Sequence, residues 1–120
     1  MPNINDTLTE EYNVIKGRRD NPQEGSYTSY LFSKGRDKIL KKIGEEATET
    51  IIAAKDNDNG EVIAEACDLI FHLEVLMVDM GISWQDISDK IAERRQKENM
   101  NVEKEAKRKA ENRTDETRIN

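Results

Sequence analysis

Two apolar stripes at helical spacing, separated by one polar turn, constrain the fold of this chain more than any other feature. The first stripe runs through residues 36–56 and the second through residues 60–80, with apolar residues three and four positions apart. Between them lies the turn-forming segment DNDNG, in which Asp58 followed by Glu61 predicts a helix start. The pattern predicts two long helices that pack antiparallel through their stripes.

Shorter periodic segments on either side predict further helices. A helix over residues 7–18 is predicted to begin with a capping box of Thr7 and Glu10. Another helix is predicted to begin at SWQD, residues 83–86. The segment SYTSYLFSKG is compatible with one or two helical turns or with an ordered loop. The predicted fold class is therefore all-α, a bundle of the four-helix type.

The predicted helix over residues 60–80 is apolar on two faces, which indicates more than one packing partner. The two stripes are Val62, Leu69, Leu73, Leu76 and Met80, and Cys67, Phe71, Val75 and Val78. Only 35% of the residues are apolar, a thin supply for a single core. We therefore predict that a second copy of the chain completes the bundle, as a homodimer or higher homo-oligomer. Cys67 is expected to be a small buried hydrophobe.

Composition and charge argue against several classes of protein. The net charge of −6 is the wrong sign for a nucleic-acid binder. No apolar run approaches 18 residues, and the N-terminal sequence lacks the pattern of a secretory signal, so we expect no membrane partner. The single cysteine cannot form an intrachain disulfide. These features together predict a cytoplasmic protein.

The C-terminal segment differs in character from the rest of the chain. Residues 97–120 contain seven basic and six acidic residues among 24, without a sustained apolar stripe. We therefore predict one all-α domain over residues 1–96 and a charged tail over residues 97–120 that is partly disordered.

Carboxylates border the apolar stripe on both central helices. In GEEATETIIAAK on the first helix, Glu46 lies at the edge of the stripe, Glu49 lies beside it, and Glu45 lies further round. On the second helix, Glu65 and Asp68 repeat this arrangement. Antiparallel packing is expected to bring together four of these acids, Glu46, Glu49, Glu65 and Asp68. Four carboxylates that close cannot all ionise without a cation.

The ligand set and its basic neighbours indicate phosphate chemistry. An all-oxygen set favours Mg²⁺, with Mn²⁺ as the alternative, and Mg²⁺ commonly takes substrate phosphates as further ligands. The residues predicted to contact those phosphates are Lys34, Lys38, Lys41 and Lys42. His72, the only histidine, lines up with the acids, and we predict that it packs beside the metal ligands without binding the ion.

These residues resemble a known family. Glu45-Glu46-x-x-Glu49 followed by Glu65-x-x-Asp68 resembles the EExxE…ExxD signature of the all-α MazG-type nucleoside-triphosphate pyrophosphohydrolases. The segments GSYTSYLFSKGRDKILKKIGEEATETIIAAK and EACDLIFHLEVLM are similar to the phosphoribosyl-ATP pyrophosphatase family, and the resemblance covers about residues 4–95.

The resemblance implies an activity and roles for the acids. It implies hydrolysis of the α–β phosphoanhydride of phosphoribosyl-ATP to phosphoribosyl-AMP and pyrophosphate, the second step of L-histidine biosynthesis, with Mg²⁺ as cofactor. By position, the metal ligands are Glu46, Glu49, Glu65 and Asp68. Glu45 is then a further ligand or the base for the attacking water, and the MazG-like bundle is completed by homodimerisation.

Two alternative functions stay open. The chain is alternatively a house-cleaning nucleoside-triphosphate pyrophosphatase of the same superfamily, which substrate profiling distinguishes. It is otherwise a non-catalytic helical assembly module whose acids are structural. That module shows no divalent-ion dependence, and Glu49→Gln or Asp68→Asn leaves its behaviour unchanged or raises its stability.

Overall fold

The computed structural model describes residues 1–119, with the side chains of residues 1–114, and within this range it contains helices and no strand. The helices are α1 (Ile4–Asp20), α2 (Tyr27–Lys34), α3 (Arg36–Lys55), α4 (Asn59–Met80) and α5 (Trp84–Ile119). The first four form one compact unit, Met1–Ser83, and a second unit begins at Trp84. The all-α prediction is confirmed.

The two central helices match their predicted bounds because their ends carry clear signals. The Asp58 side chain accepts a hydrogen bond from the Glu61 backbone N–H, which confirms it as the cap of α4. The helix ends at Gly81, whose φ of 72° places it in the left-handed region that favours glycine. Only residues 56–58 join α3 to α4, and the two helices pack extensively against each other, so they form an antiparallel pair.

The start of α1 differs from its prediction. The helix begins at Ile4, and its cap is Asn3, whose side-chain oxygen accepts a hydrogen bond of 2.9 Å from the Asp6 backbone N–H. The predicted capping box of Thr7 and Glu10 was therefore wrong. An asparagine three residues before an aspartate is an equally good start signal, and it comes a full turn earlier.

The segment SYTSYLFSKG, which the sequence left open between helix and loop, forms helix α2. Ser26 caps it, since its hydroxyl accepts a hydrogen bond from the Ser29 backbone N–H, and Leu31 anchors it by complete burial. The helix ends at Gly35, which has φ 95° and ψ 177°. Because this conformation is essentially restricted to glycine, Gly35 allows the chain to turn directly into α3.

The core of the first unit is small and draws on all four of its helices. It consists of Ile15 from α1, Leu31 from α2, Ile39 from α3, and Val75 and Val78 from α4. Each of these side chains is at most 1% exposed. This core fixes the paired helices α3 and α4 against α1 and α2.

Several side chains of the predicted stripes lie outside this core. Leu40 and Ile51 on α3 and Leu73 and Met80 on α4 are exposed, although their spacing predicted burial. Cys67 is also exposed, so the prediction that it is buried was wrong. The stripes are wider than the surface that α1 and α2 cover, and the core uses only one edge of each.

Helix α5 is a long polar helix. Within residues 84–114 it carries ion pairs at helical spacing, including Lys97 with Glu93 at 3.2 Å and Arg108 with Glu105 at 2.6 Å. The predicted domain boundary near residue 96 falls inside this helix, and the proposed tail over residues 97–120 stays a prediction that reaches beyond the described residues.

The part of the chain that the structure describes holds no helix long and apolar enough to cross a membrane. The cytoplasmic location stays a prediction.

Candidate metal centre

Three carboxylates converge where α3 packs on α4. Glu46 and Glu49 are three residues apart on α3, and Glu65 approaches them from α4. One carboxylate oxygen from each lies within 4.8 Å of one from both others. The antiparallel pairing of the two helices therefore assembles three of the four predicted metal ligands.

Crowding of these acids changes the protonation of Glu65. Hydrogen bonds to Glu49 and then to Glu46 raise the pKa of Glu65 to about 7, and burial and the charges of both neighbours add to the rise. Each of these causes favours the neutral carboxyl group. Near neutral pH, protonation of Glu65 therefore removes part of the negative charge that a bound cation would otherwise offset in this cluster.

Buried oxygens without a hydrogen-bond partner support a cation as the occupant. Oε2 of Glu46 and Oε2 of Glu65 are both shielded from solvent and have no such partner. A buried carboxylate oxygen without a partner is costly, whereas coordination to a cation satisfies it. A set of carboxylate oxygens with no thiolate fits a hard ion such as Mg²⁺ or Mn²⁺.

Asp68, the fourth predicted ligand, lies one turn beyond Glu65 on α4. Its carboxylate is not one of the three that cluster among the described residues. Its side chain is exposed, and its backbone carbonyl accepts a 2.7 Å hydrogen bond from His72 Nδ1. Asp68 borders the cluster on the same helix face, and its role as a ligand stays a prediction.

Two of the predicted phosphate-contacting lysines are held by Glu45. Lys42 Nζ lies 3.4 Å from Oε2 of Glu45, and Lys41 Nζ lies 3.9 Å from its Oε1. The hydrogen bond to Glu45 raises the pKa of Lys42, with the Tyr27 phenol adding to the shift. Glu45 is therefore not part of the three-acid cluster. It precedes Glu46 in the sequence and forms ion pairs with the lysines earlier on α3.

The other two predicted lysines lie earlier in the chain. Lys34 ends α2, and its Nζ lies 5.7 Å from the centre of the Tyr30 ring. Lys38 lies one turn before Lys42 on α3, and it is half-buried. Their contact with phosphate stays a prediction.

Tyr27 is a residue beside the site that the sequence interpretation did not assign to it. Its hydroxyl lies 2.9 Å from Nε2 of His72. Burial is the largest cause of the raised pKa of this phenol, Lys42 opposes the rise, and the charge of Glu46 adds to it. Ser26, which caps α2 one residue earlier, was the available signal in the sequence, because the start of a helix determines which of its residues share a face.

A cavity of about 210 Å³ opens beside the cluster, at the end of the α3–α4 pair. Glu49 and Glu65 form one side of it, and Ile52 and Ala53 provide apolar surface. The cluster is therefore accessible to a bound molecule, as a catalytic metal site requires.

Comparisons with known proteins find relatives of one family. A family model described as phosphoribosyl-ATP pyrophosphohydrolase matches residues 8–95. The chain is 50% identical over 112 residues to a phosphoribosyl-ATP pyrophosphatase of Clostridium novyi, covering 93% of this chain and 99% of that protein. It is 52% identical over 95 residues to one of Clostridium botulinum, covering 79% of this chain and 86% of that protein.

A further relative is longer than this chain. The histidine biosynthesis bifunctional protein HisIE of Thermoanaerobacter pseudethanolicus is 61% identical over 80 residues, which make up 67% of this chain and 37% of that protein. The family match runs from residue 8 inside α1 through α4 and into the first part of α5, and it includes every residue of the three-acid cluster. The chain belongs to the phosphoribosyl-ATP pyrophosphohydrolase family.

Proposed function

We propose that this chain hydrolyses phosphoribosyl-ATP to phosphoribosyl-AMP and pyrophosphate, the second step of L-histidine biosynthesis. The observation that carries the proposal is the convergence of Glu46, Glu49 and Glu65 in a chain of this family. The names of its relatives, phosphoribosyl-ATP pyrophosphatase and histidine biosynthesis bifunctional protein, give the substrate and the pathway.

The carboxylate cluster fits a divalent cation as cofactor. Glu46, Glu49 and Glu65 are the proposed ligands, and Asp68 is the proposed fourth. The two buried oxygens that lack hydrogen-bond partners support this assignment, as does the raised pKa of Glu65. When bound, Mg²⁺ or Mn²⁺ would neutralise phosphate charge and polarise the scissile group.

The chain's own residues then bind and orient the substrate and accept a proton from the attacking water. The proposed phosphate contacts are Lys34, Lys38, Lys41 and Lys42, which offset the negative charge that accumulates on the leaving pyrophosphate. In the reaction, a water oxygen bonds to phosphorus, the anhydride P–O bond breaks, and the water gives up a proton. Glu45, which pairs with two lysines, is the proposed acceptor of that proton or a proposed further ligand.

The exposed apolar side chains support a homodimer or higher homo-oligomer. Ile51 and Ile52 on α3 are 63% and 55% exposed, and Ile63 on α4 is 66% exposed. A small protein gains by burying such surface against a second copy. Because Ile52 also lines the cavity beside Glu49, a second subunit here would enclose the substrate.

Pyrophosphate release tests the proposal. The purified protein is incubated with phosphoribosyl-ATP, ATP or dUTP, with Mg²⁺ or with a chelator, and pyrophosphate is measured. We expect release from phosphoribosyl-ATP alone and only with Mg²⁺. Turnover of ATP or dUTP instead would assign the house-cleaning activity, and release from none of the three would favour the assembly module.

A matched pair of variants tests the role of the cluster in the same assay. Glu49→Gln removes one carboxylate charge from the cluster, whereas Glu10→Gln makes the same change at an exposed position on α1. We expect Glu49→Gln to lower the rate by at least about 100-fold and Glu10→Gln to leave it unchanged. Equal rates for both variants would remove the cluster from the reaction.

A further inference from the structure

His72 is almost completely buried, at 4% exposure, and both of its ring nitrogens have partners. Nδ1 lies 2.7 Å from the backbone oxygen of Asp68 on the same helix. Nε2 lies 2.9 Å from the hydroxyl oxygen of Tyr27 on α2. A buried polar side chain with every polar atom paired is fixed in one orientation.

The chemistry of the partners sets the direction of both hydrogen bonds. A backbone carbonyl oxygen only accepts, so Nδ1 of His72 carries the hydrogen and donates it to Asp68. In the neutral imidazole, Nε2 is then an acceptor, and the Tyr27 hydroxyl donates to it. The chain of donors therefore runs from α2 into α4 and ends on the backbone of Asp68.

Aromatic packing holds the pair in place. The Tyr27 ring lies 6.2 Å from the Tyr30 ring and 6.1 Å from the Phe71 ring, close to parallel with both. The His72 ring meets the Tyr27 and Phe71 rings edge-on, at 5.8 and 5.1 Å. These geometries are the favourable ones for aromatic pairs, so removing the hydroxyl alone takes away the hydrogen bond and leaves the apolar surface of the ring available for packing.

The pair lies beside the carboxylate cluster. His72 follows Asp68 by four residues and Glu65 by seven on α4, which places all three on one face of the helix. Burial is the largest cause of the raised pKa of the Tyr27 phenol, the charge of Lys42 lowers that pKa, and the charge of Glu46 raises it. The phenol is therefore close enough to one proposed metal ligand and one proposed phosphate contact to be affected by their charges.

We propose that Tyr27 is a positioning residue for the reaction, because its hydrogen bond to His72 holds α2 in register with the face of α4 that carries Glu65 and Asp68. Helix α2 has eight residues and ends at Lys34, a proposed phosphate contact. A shift of this short helix would move Lys34 relative to the carboxylates. The inference rests on the proposed function, and it adds Tyr27 to the residues proposed for the reaction.

The test removes the hydroxyl and keeps the ring. Tyr27→Phe is compared with Tyr30→Phe, the same change on the same helix at nearly equal exposure, 44% and 42%. For Tyr27→Phe we expect kcat for phosphoribosyl-ATP to fall about tenfold with KM within threefold, because misplacement acts mainly on the transition state. We expect Tyr30→Phe to keep kcat within twofold, and Mn²⁺ affinity to be unchanged in both variants.

A double-mutant cycle with His72→Phe separates positioning from general damage. If the two residues act through one bond, Tyr27→Phe should have little further effect on kcat in the His72→Phe background. Additive losses of kcat would show that Tyr27 acts without His72 and would overturn the proposal. Thermal unfolding of each variant accompanies the kinetics, and we expect Tyr27→Phe to keep its melting temperature within a few degrees, since the ring packing is intact.

Because His72 is the only histidine, nitrogen-15 NMR of the untagged protein reports the bond directly. We expect the Nδ1–H tautomer in the wild type, and a shift of the Nε2 resonance in Tyr27→Phe but not in Tyr30→Phe. An Nε2–H tautomer would overturn the proposal, as would a Tyr27→Phe enzyme with wild-type kcat beside an active wild type. A wild type that releases no pyrophosphate would instead overturn the proposed function, and this inference with it.

Discussion

Glu65 on α4 is hydrogen-bonded to Glu49 on α3, and this contact is the largest cause of the rise in the pKa of Glu65 to about 7. The contact exists because residues 56–58 form a turn short enough to align the two helices antiparallel. One relationship between side chains thus links the fold to the electrostatics of the site, and it determines how the protein should respond to pH and to metal.

The proton that the raised pKa of Glu65 retains near neutral pH predicts a pH-dependent stability of the metal-free protein. The pKa of Glu65 is higher in the folded state than in the unfolded chain, so its stabilising contribution is complete below about pH 4.5 and is lost as pH rises through about 7. As pH rises from 5 to 8, we expect the unfolding free energy of Glu65→Gln to fall by less than that of the wild type. Urea unfolding at both pH values, in chelator, measures this, and equal pH dependence in the two proteins would contradict it.

Metal binding should compete with that proton. A divalent cation requires the carboxylate form of Glu65, so binding below pH 7 must release a proton. We expect the apparent affinity for Mn²⁺ to fall about tenfold for each pH unit below 7, and to change little above it. Calorimetric titration in buffers of different ionisation enthalpy measures the released proton, and a pH-independent affinity would show that Glu65 is not a ligand.

Metal should also stabilise the fold, because the ion binds the folded state. At a concentration 100 times Kd, the expected gain in unfolding free energy is about 2.7 kcal/mol. Glu49→Gln should abolish most of this gain while raising the stability of the metal-free protein, since it removes one of three crowded carboxylates. Thermal melts with Mg²⁺ and with chelator test both effects, and Glu10→Gln is the control that should respond like the wild type.

Leu31 should contribute more to the free energy of packing of α2 than any other side chain of this helix. Leu31 is 0% exposed and is the only buried residue among the eight of this helix. Leu31→Ala should cost about 2–5 kcal/mol of unfolding free energy through lost burial and the cavity left behind. Val14→Ala on α1, at 57% exposure, should cost less than about 1 kcal/mol. Denaturant unfolding of both variants compares them, and similar losses would contradict this description of the core.

Gly35 should tolerate an added side chain poorly. With φ 95° and ψ 177°, it occupies a region from which a Cβ is excluded by the backbone. Gly35→Ala should cost about 1–3 kcal/mol or more. Gly17→Ala in α1, where an added Cβ meets nothing within 4 Å, should instead stabilise by about 0.5–1 kcal/mol. Equal effects of the two substitutions would contradict the role of the backbone conformation.

The central helices and their acids could be predicted from the sequence because their signals are long or redundant. Apolar stripes that run along helices of 20 residues (α3) and 22 residues (α4), with a cap at Asp58 and a terminator at Gly81, determine the pair and its direction. Once the pair is known, the spacing of Glu46 and Glu49 places both acids near Glu65. The contact follows from local patterns and one short turn.

Other features were not predictable because tertiary context decides them. Periodicity cannot settle an eight-residue segment, and α2 is helical because Leu31 is buried and Ser26 caps it. The stripes predicted burial for Ile51 and Cys67, yet α1 and α2 cover too little of the surface to reach them. The hydrogen bond between Tyr27 and His72 joins residues 45 positions apart, and no local pattern encodes that distance.

The Mg²⁺ dependence of pyrophosphate release from phosphoribosyl-ATP, compared between the wild type and Glu65→Gln, tests the central claim most directly. The account predicts release that rises with Mg²⁺ to saturation in the wild type, and release at least about 100-fold slower in Glu65→Gln at every Mg²⁺ concentration. Release that is independent of Mg²⁺, or as fast in Glu65→Gln as in the wild type, would contradict the claim that the acids joining α3 to α4 are the catalytic metal centre.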